Sequence, residues 1–303
     1  MVTEPNPGPR APCPCGSGRR YKACHGRAAA RAEHTRVLRP FAGLAGEPEW
    51  VAMREIVPAA TADLTAIGDH AGRAVRLCSV LPMAWPALVR GDGLVMLAAQ
   101  TQTSSGDLAR DLGDALLQAL VADPGTSIPP RPLPSTAPRI HDLIDVTIAP
   151  RVLVHARFDF WFEAPDDIDG ETRHSLDHAN TAVMPTARLA AVEAAYWVQL
   201  GDRRQLRWVL PGGEDDVIEA LARMQVHGGL AVGEGSRYLG SFRSLGLLLP
   251  VWDLAGGVDI DDLEEPAETF FARLHRALGE GSPLDGAERR ARESLLARQL
   301  TMH

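Results

Sequence analysis

Three of the chain's four cysteines fall within twelve positions, in the stretch CPCGSGRRYKACHG at residues 13–26. Tetrahedral zinc takes four thiolate or imidazole donors at about 2.0 to 2.3 Å, and short loops let a small segment supply all four. Cys13, Cys15, Cys24 and His25 make up such a set. Between the two pairs lies Gly16-Ser17-Gly18, whose glycines tolerate the positive φ angles of a tight reversal and let backbone amides approach a ligating sulfur. Neighbouring side chains at Cys24 and His25 would point about 100° apart on a helix, but the longer imidazole can wrap back to a metal at a helix start. With four protein donors no coordination position is left for water, so the expected zinc is structural and not catalytic. The alternative, reduced thiols in a disordered tail, leaves the spacing and the glycine turn without a purpose. The fourth cysteine, Cys78, stands alone in the apolar run VRLCSVL and reads as a small buried hydrophobe, so no disulfide framework is indicated.

Charge divides the chain in the same place. From Arg10 to Arg39 there are eight basic residues against the single acid Glu33, which gives +7; Glu4 adds −1 before them, and the total of −8 leaves −14 for residues 40–303. A cationic tail on an anionic body can bind the body itself, an acidic protein or a nucleic acid. Lys22 is the only lysine, and it lies between Tyr21 and Ala23. A phosphate loop of the Gly-Lys-Ser/Thr type is therefore absent, and Schiff-base chemistry is not expected. The start, MVTEPNPGPRAP, has no apolar signal run, and the longest apolar stretch, LGLLLPVW at 245–252, is short and interrupted by Pro250, so a cytoplasmic protein without a membrane span is expected.

Along the chain, residues 1–12 read as disordered, 13–26 as the cysteine knuckle, and 27–40 as a basic helical linker rich in alanine. A first α+β module is expected over 41–121. The stretch 122–138, with six prolines, suits an extended linker, and a second module with C-terminal helices fills 139–303. In the first module, Gly91-Asp92-Gly93 turns into the strand-like LVMLAAQTQ, and Ser104 or Ser105 can cap a helix carrying Leu108, Leu112, Leu116 and Leu120 on one face. In the second, VEAAYWVQL turns at Gly201-Asp202 into RQLRWVLP, and a helix begins near Asp215. A duplicated unit and generic α+β architecture would both give this recurrence. RVLVHARFDFWF, 151–162, alternates cleanly and predicts a half-buried strand with the phenylalanines on one face and His155 and Asp159 on an exposed polar one. The fold class that results is α+β, two modules of antiparallel sheet with helices packed on them.

The stretch CPCGSGRRYKACHG resembles the SEC-C motif, a zinc knuckle named from the C-terminal tail of the preprotein translocase motor SecA, over essentially the whole motif. The resemblance implies zinc on Cys13, Cys15, Cys24 and His25 and a partner-binding face at Arg19, Arg20, Tyr21 and Lys22. In that family the partners include an acidic export chaperone and the ribosome. The motif here is N-terminal, the chain is far too short for the motor, and its nucleotide-binding lysine motif is missing, so a SecA-type ATPase is rejected. The body, through SVLPMAWPALVRGDG, SSGDLARDL, EAAYWVQLGDRRQLRWVLP and YLGSFRSLGLLLPVWDL, is similar to a bacterial family of unknown function that pairs this knuckle with an α+β body. That resemblance supplies no catalytic residues.

Other candidate chemistry in the body is weak. His174 and His178 in HSLDH stand at i, i+4, but Ser175 replaces the glutamate of HExxH, which leaves a solvated polar helix. PDDIDGE at 165–171 fails as a calcium loop, because aligning Gly170 puts Pro165 and Leu176 at ligand positions; an acidic helix start explains it better. GEGSRYLG at 233–240 lacks the GxGxxG spacing, and no GxSxG elbow occurs. RYLGSFRSLGLLLPVWDL, 237–254, mixes aromatics and arginines as interfaces do, yet core strand is the expected role. The sequence therefore points to a non-enzymatic adaptor whose knuckle docks an acidic protein or the ribosome. The competing readings are an enzyme with its substrate site in the body, and nucleic-acid binding through the tail.

Overall fold

Alternating apolar residues in the body call for sheets with a buried face, and the computed structural model contains two. It describes Ala11, Arg19, Arg20 and residues 37–101 and 105–300. The first sheet has six strands in the order β5-β3-β4-β2-β1-β6, with β1 Ala60–Thr65, β2 Ala74–Cys78, β3 Ala87–Val89, β4 Val95–Ala98, β5 Ser127–Ile128 and β6 Leu153–Val154. Every pairing in it is antiparallel except β2 with β4. The second is antiparallel throughout, in the order β10-β11-β9-β8-β7, with β7 Thr186–Arg188, β8 Ala195–Leu200, β9 Arg203–Trp208, β10 Ser236–Ser244 and β11 Leu247–Leu254. Six helices accompany them among the described residues: α1 Glu47–Glu55, α2 Leu108–Val121, α3 Gly170–Asn180, α4 Glu214–Val226, α5 Glu264–Leu278 and α6 Gly286–Leu296. The α+β class expected from the sequence is the one observed, with a mixed first sheet.

The two-residue period sorts the strands cleanly. In β8 and β11, Tyr196, Val198, Leu247 and Leu249 join one core, while Ala195, Trp197, Leu248 and Trp252 join the other. That other core lies under α4, α5 and α6 and centres on Trp208, Trp252 and Phe270, whose ring centroids are 5.4 to 6.3 Å apart. Tyr238 and Trp252 of the aromatic-rich 237–254 stretch are buried there, as core strands require.

The first core does not stop at the first sheet. It runs from Ala62, Leu77 and Leu97 through α1 and α2 to Tyr196, Val198 and Leu249 of the second sheet. Helix α1 is correspondingly buried from Glu47 to Met53, including two glutamates. Burying a carboxylate demands donors, and both have them. Glu47 takes two bonds of 2.7 Å from the Arg39 guanidinium. Glu49 accepts from Arg188 Nε at 2.9 Å and Nη2 at 2.7 Å, from the Ala194 amide at 2.9 Å and from the Tyr196 hydroxyl at 2.5 Å. Burial, reinforced by the Glu49 charge, pushes the Tyr196 phenol well above its ordinary value, so it stays a donor. Both acids lie in the first turn of α1, where the helix dipole favours negative charge.

Several segments depart from their local sequence patterns. Residues 122–138 are stitched to the first sheet, because Ser127–Ile128 pair with β3 and Arg131 forks onto Asp114 at 2.9 and 2.6 Å. The chain after this stretch also returns to the first sheet, with β6 on the edge of β1, before it begins the second. Gly113 permits the return: a Cβ there would meet the Pro138 carbonyl oxygen at 2.3 Å. Finally, 151–162 is a strand only at Leu153–Val154; beyond it the aromatics fold over the sheet in a 3-10 turn, Asp159–Trp161, with Phe158 and Trp161 stacked 4.4 Å apart. Helix α2 buries Leu108, Leu112, Leu116 and Leu120 as expected, but its N-cap is Asp107, and Ser105 instead accepts the Asp107 amide at 3.3 Å; Ser104 lies outside the described residues.

Candidate functional site

Strand alternation gives the first sheet an outer face consisting of Thr61 and Asp63 on β1, Arg76 and Cys78 on β2, Leu88 on β3, and Met96 and Ala98 on β4. The apolar half of this face, Cys78, Leu88, Met96 and Ala98, is packed against Phe160 and Trp161. Trp161 donates its indole N–H to the Val80 carbonyl at 2.9 Å, and Arg90 reaches the carbonyls of Phe160 and Phe162, so the aromatic flap is tied down at both ends. Under this apolar cover the Cys78 thiol is pushed up to about 12 by burial, which makes it inert.

The polar half stays open. Thr61, Asp63, Arg76, Ile148, Arg151, Leu153 and His155 line a cleft of about 540 Å³. Its far wall is the 148–152 loop, held close to the N-terminus of α1 by Gly46, which has φ +66° and where a Cβ would fall 2.9 Å from that of Ala149. Thr61, itself buried, shares a 2.8 Å hydrogen bond with His155 Nε2, and the imidazole lies 4.8 Å from the Phe160 ring. Burial lowers the His155 pKa, and the Arg76 charge lowers it further, so the ring is neutral at neutral pH. Arg76 gives Nε to Asp63 at 2.7 Å. Arg151 is exposed and makes no hydrogen bond or ion pair among the described residues. The expected exposed strand face for His155 is thus corrected: it is half-buried and fixed to a residue 94 positions away.

The ligand set read from the sequence, Cys13, Cys15, Cys24 and His25, lies outside the described residues, as do Tyr21, Lys22 and residues 27–36 of the expected linker helix. Arg19 and Arg20 are described and exposed. Three soft thiolates and an imidazole form a donor set that suits zinc, whereas among the described residues no group of three or more His, Cys, Asp or Glu could hold a metal. His174 and His178 sit exposed on α3, which Asp169 caps through the amides of Glu171 and Thr172, in line with the solvated helix and acidic helix start expected there. Among the described residues no helix is long and apolar enough to cross a membrane.

Comparison with known families accounts for both parts of the chain. Residues 10–27 match the SEC-C motif, and residues 40–303 match a family of unknown function (DUF5926). The second match covers more than half of the chain, which therefore belongs to that family. No curated protein and no solved structure matches.

Proposed function

We propose that this member of a family of unknown function is a non-enzymatic adaptor: zinc held by Cys13, Cys15, Cys24 and His25 folds a cationic knuckle, and Arg19, Arg20, Tyr21 and Lys22 on it dock an acidic protein or ribosomal surface. The observation that carries this reading is the charge division, +7 over residues 10–39 against −14 over residues 40–303. A compact cationic segment on an anionic body steers itself toward acidic partners and keeps the body away from them. The donor set supports zinc, since four protein ligands close the site and give the metal a folding role. Bound zinc would supply cross-linking of a segment too small to bury a core of its own.

Metal analysis of the full chain should give one zinc per molecule, and the Cys13→Ser/Cys15→Ser double variant none. In affinity capture, a partner held by the unaltered chain should be lost from that double variant and from Arg19→Ala/Arg20→Ala/Lys22→Ala, and it should release steeply with added salt. Absence of stoichiometric zinc, or equal retention of the partner by all three chains, overturns the reading.

A further inference from the structure

We infer that the outer-face cleft between β1, β2 and the 148–155 segment binds a small organic monoanion, a carboxylate on an apolar body. The volume, about 540 Å³, falls in the range of roughly 300 to 1,000 Å³ usual for small-molecule sites.

Charge selects the headgroup. Two guanidiniums, Arg76 and Arg151, line the cleft against the single carboxylate of Asp63. Asp63 engages Arg76 through Nε, whereas Arg151 has no partner among the described residues. A neutral His155 adds polarity without charge. One cationic charge is therefore left over, which suits a monocarboxylate gripped by the planar fork of Arg151. A phosphate dianion would need a second uncompensated cation, and a cationic ligand would meet two arginines. The same sign rules out the chain's own tail, which carries +7 over residues 10–39.

Apolar exposure selects the rest of the ligand. Seven large hydrophobic side chains are exposed among the described residues, and two of them, Ile148 at 48% and Leu153 at 61%, stand in this one cleft. Isolated exposed aliphatics need no explanation, but two facing one cavity beside an unpaired guanidinium give a wall for a hydrocarbon or ring. The walls are also preformed. The Gly46 contact sets the loop, and Thr61 and Phe160 fix the imidazole, so little ordering opposes binding.

The test uses the full chain and 4-phenylbutyrate, titrated calorimetrically to millimolar concentration, with neutral 4-phenylbutyramide as the control. One saturable site is expected, with the amide bound about tenfold or more weaker, the difference expected of a charge-assisted contact. Arg151→Ala should abolish the preference for acid over amide, and Leu153→Ser should weaken both ligands alike. Because both side chains are exposed, neither variant should change the unfolding midpoint of the free chain. Cys13→Ser/Cys15→Ser should bind 4-phenylbutyrate like the unaltered chain, which keeps this result separate from the adaptor reading. No saturable binding, equal binding of acid and amide, or undiminished selectivity in Arg151→Ala overturns the proposal.

Discussion

Glu49 with Arg188 and Asp63 with Arg76 are the same chemical pair at the same closest separation, 2.7 Å, but they do opposite things. The Glu49 side chain is 2% exposed and its two oxygens take four donors from the far sheet. The Asp63 side chain is 74% exposed and answers one nitrogen of its arginine. Distance alone therefore says little about what an ion pair is for. A carboxylate that has lost its water must be fully satisfied by protein, which fixes structure, whereas a solvated one leaves its partner free to meet something else.

Substitutions would sharpen that contrast. Glu49→Ala leaves Arg188 and the Tyr196 hydroxyl facing each other at the seam of the two sheets, and should cost about 3 to 5 kcal/mol in urea unfolding. A loss under 1 kcal/mol would break the comparison. Tyr196→Phe removes one bond to that carboxylate and should cost about 1.5 to 3 kcal/mol. Asp63→Asn should change stability by less than about 1 kcal/mol, yet strengthen 4-phenylbutyrate binding, because the competing charge on Arg76 is gone. The smallest effect is expected from His155→Gln, read from the slope of stability against pH. Burial, then Arg76, hold the folded pKa of His155 below the ordinary 6.5, so the unfolded chain takes up the proton first. The stability that a neutral His155 gives is fully present above about 6.5 and is lost as pH falls from there through the lower folded value. The glutamine variant should flatten that part of the curve.

Local patterns carried the fold class and most of the elements. Helix α2 was legible because four leucines repeat every fourth residue, and β8 and β9 because a Gly-Asp turn separates two apolar runs. The 151–162 stretch misled because alternation is necessary for a strand and not sufficient. After Val154 the aromatics bury more surface by stacking on the outer face than by extending an edge. The 122–138 stretch shows a related point: its prolines suit an extended chain, and an extended chain can also be an edge strand. The cleft could not be read at all. Thr61 and His155 are 94 residues apart, and neither belongs to a motif. A histidine between Val154 and Ala156 was the one available signal, and polarity on a strand face accounted for it.

The seam at α1 also sets an order of events. The three residues that donate to Glu49 lie 139 to 147 residues further along the chain, so in a growing polypeptide that carboxylate lacks these donors until β8 has been synthesised. Contacts of such long range slow folding far more than they weaken the product. The strand pairings of the first sheet close within residues 60–154, whereas the Glu49 site waits for residues 188–196, so the seam is expected to be completed after the first sheet has paired.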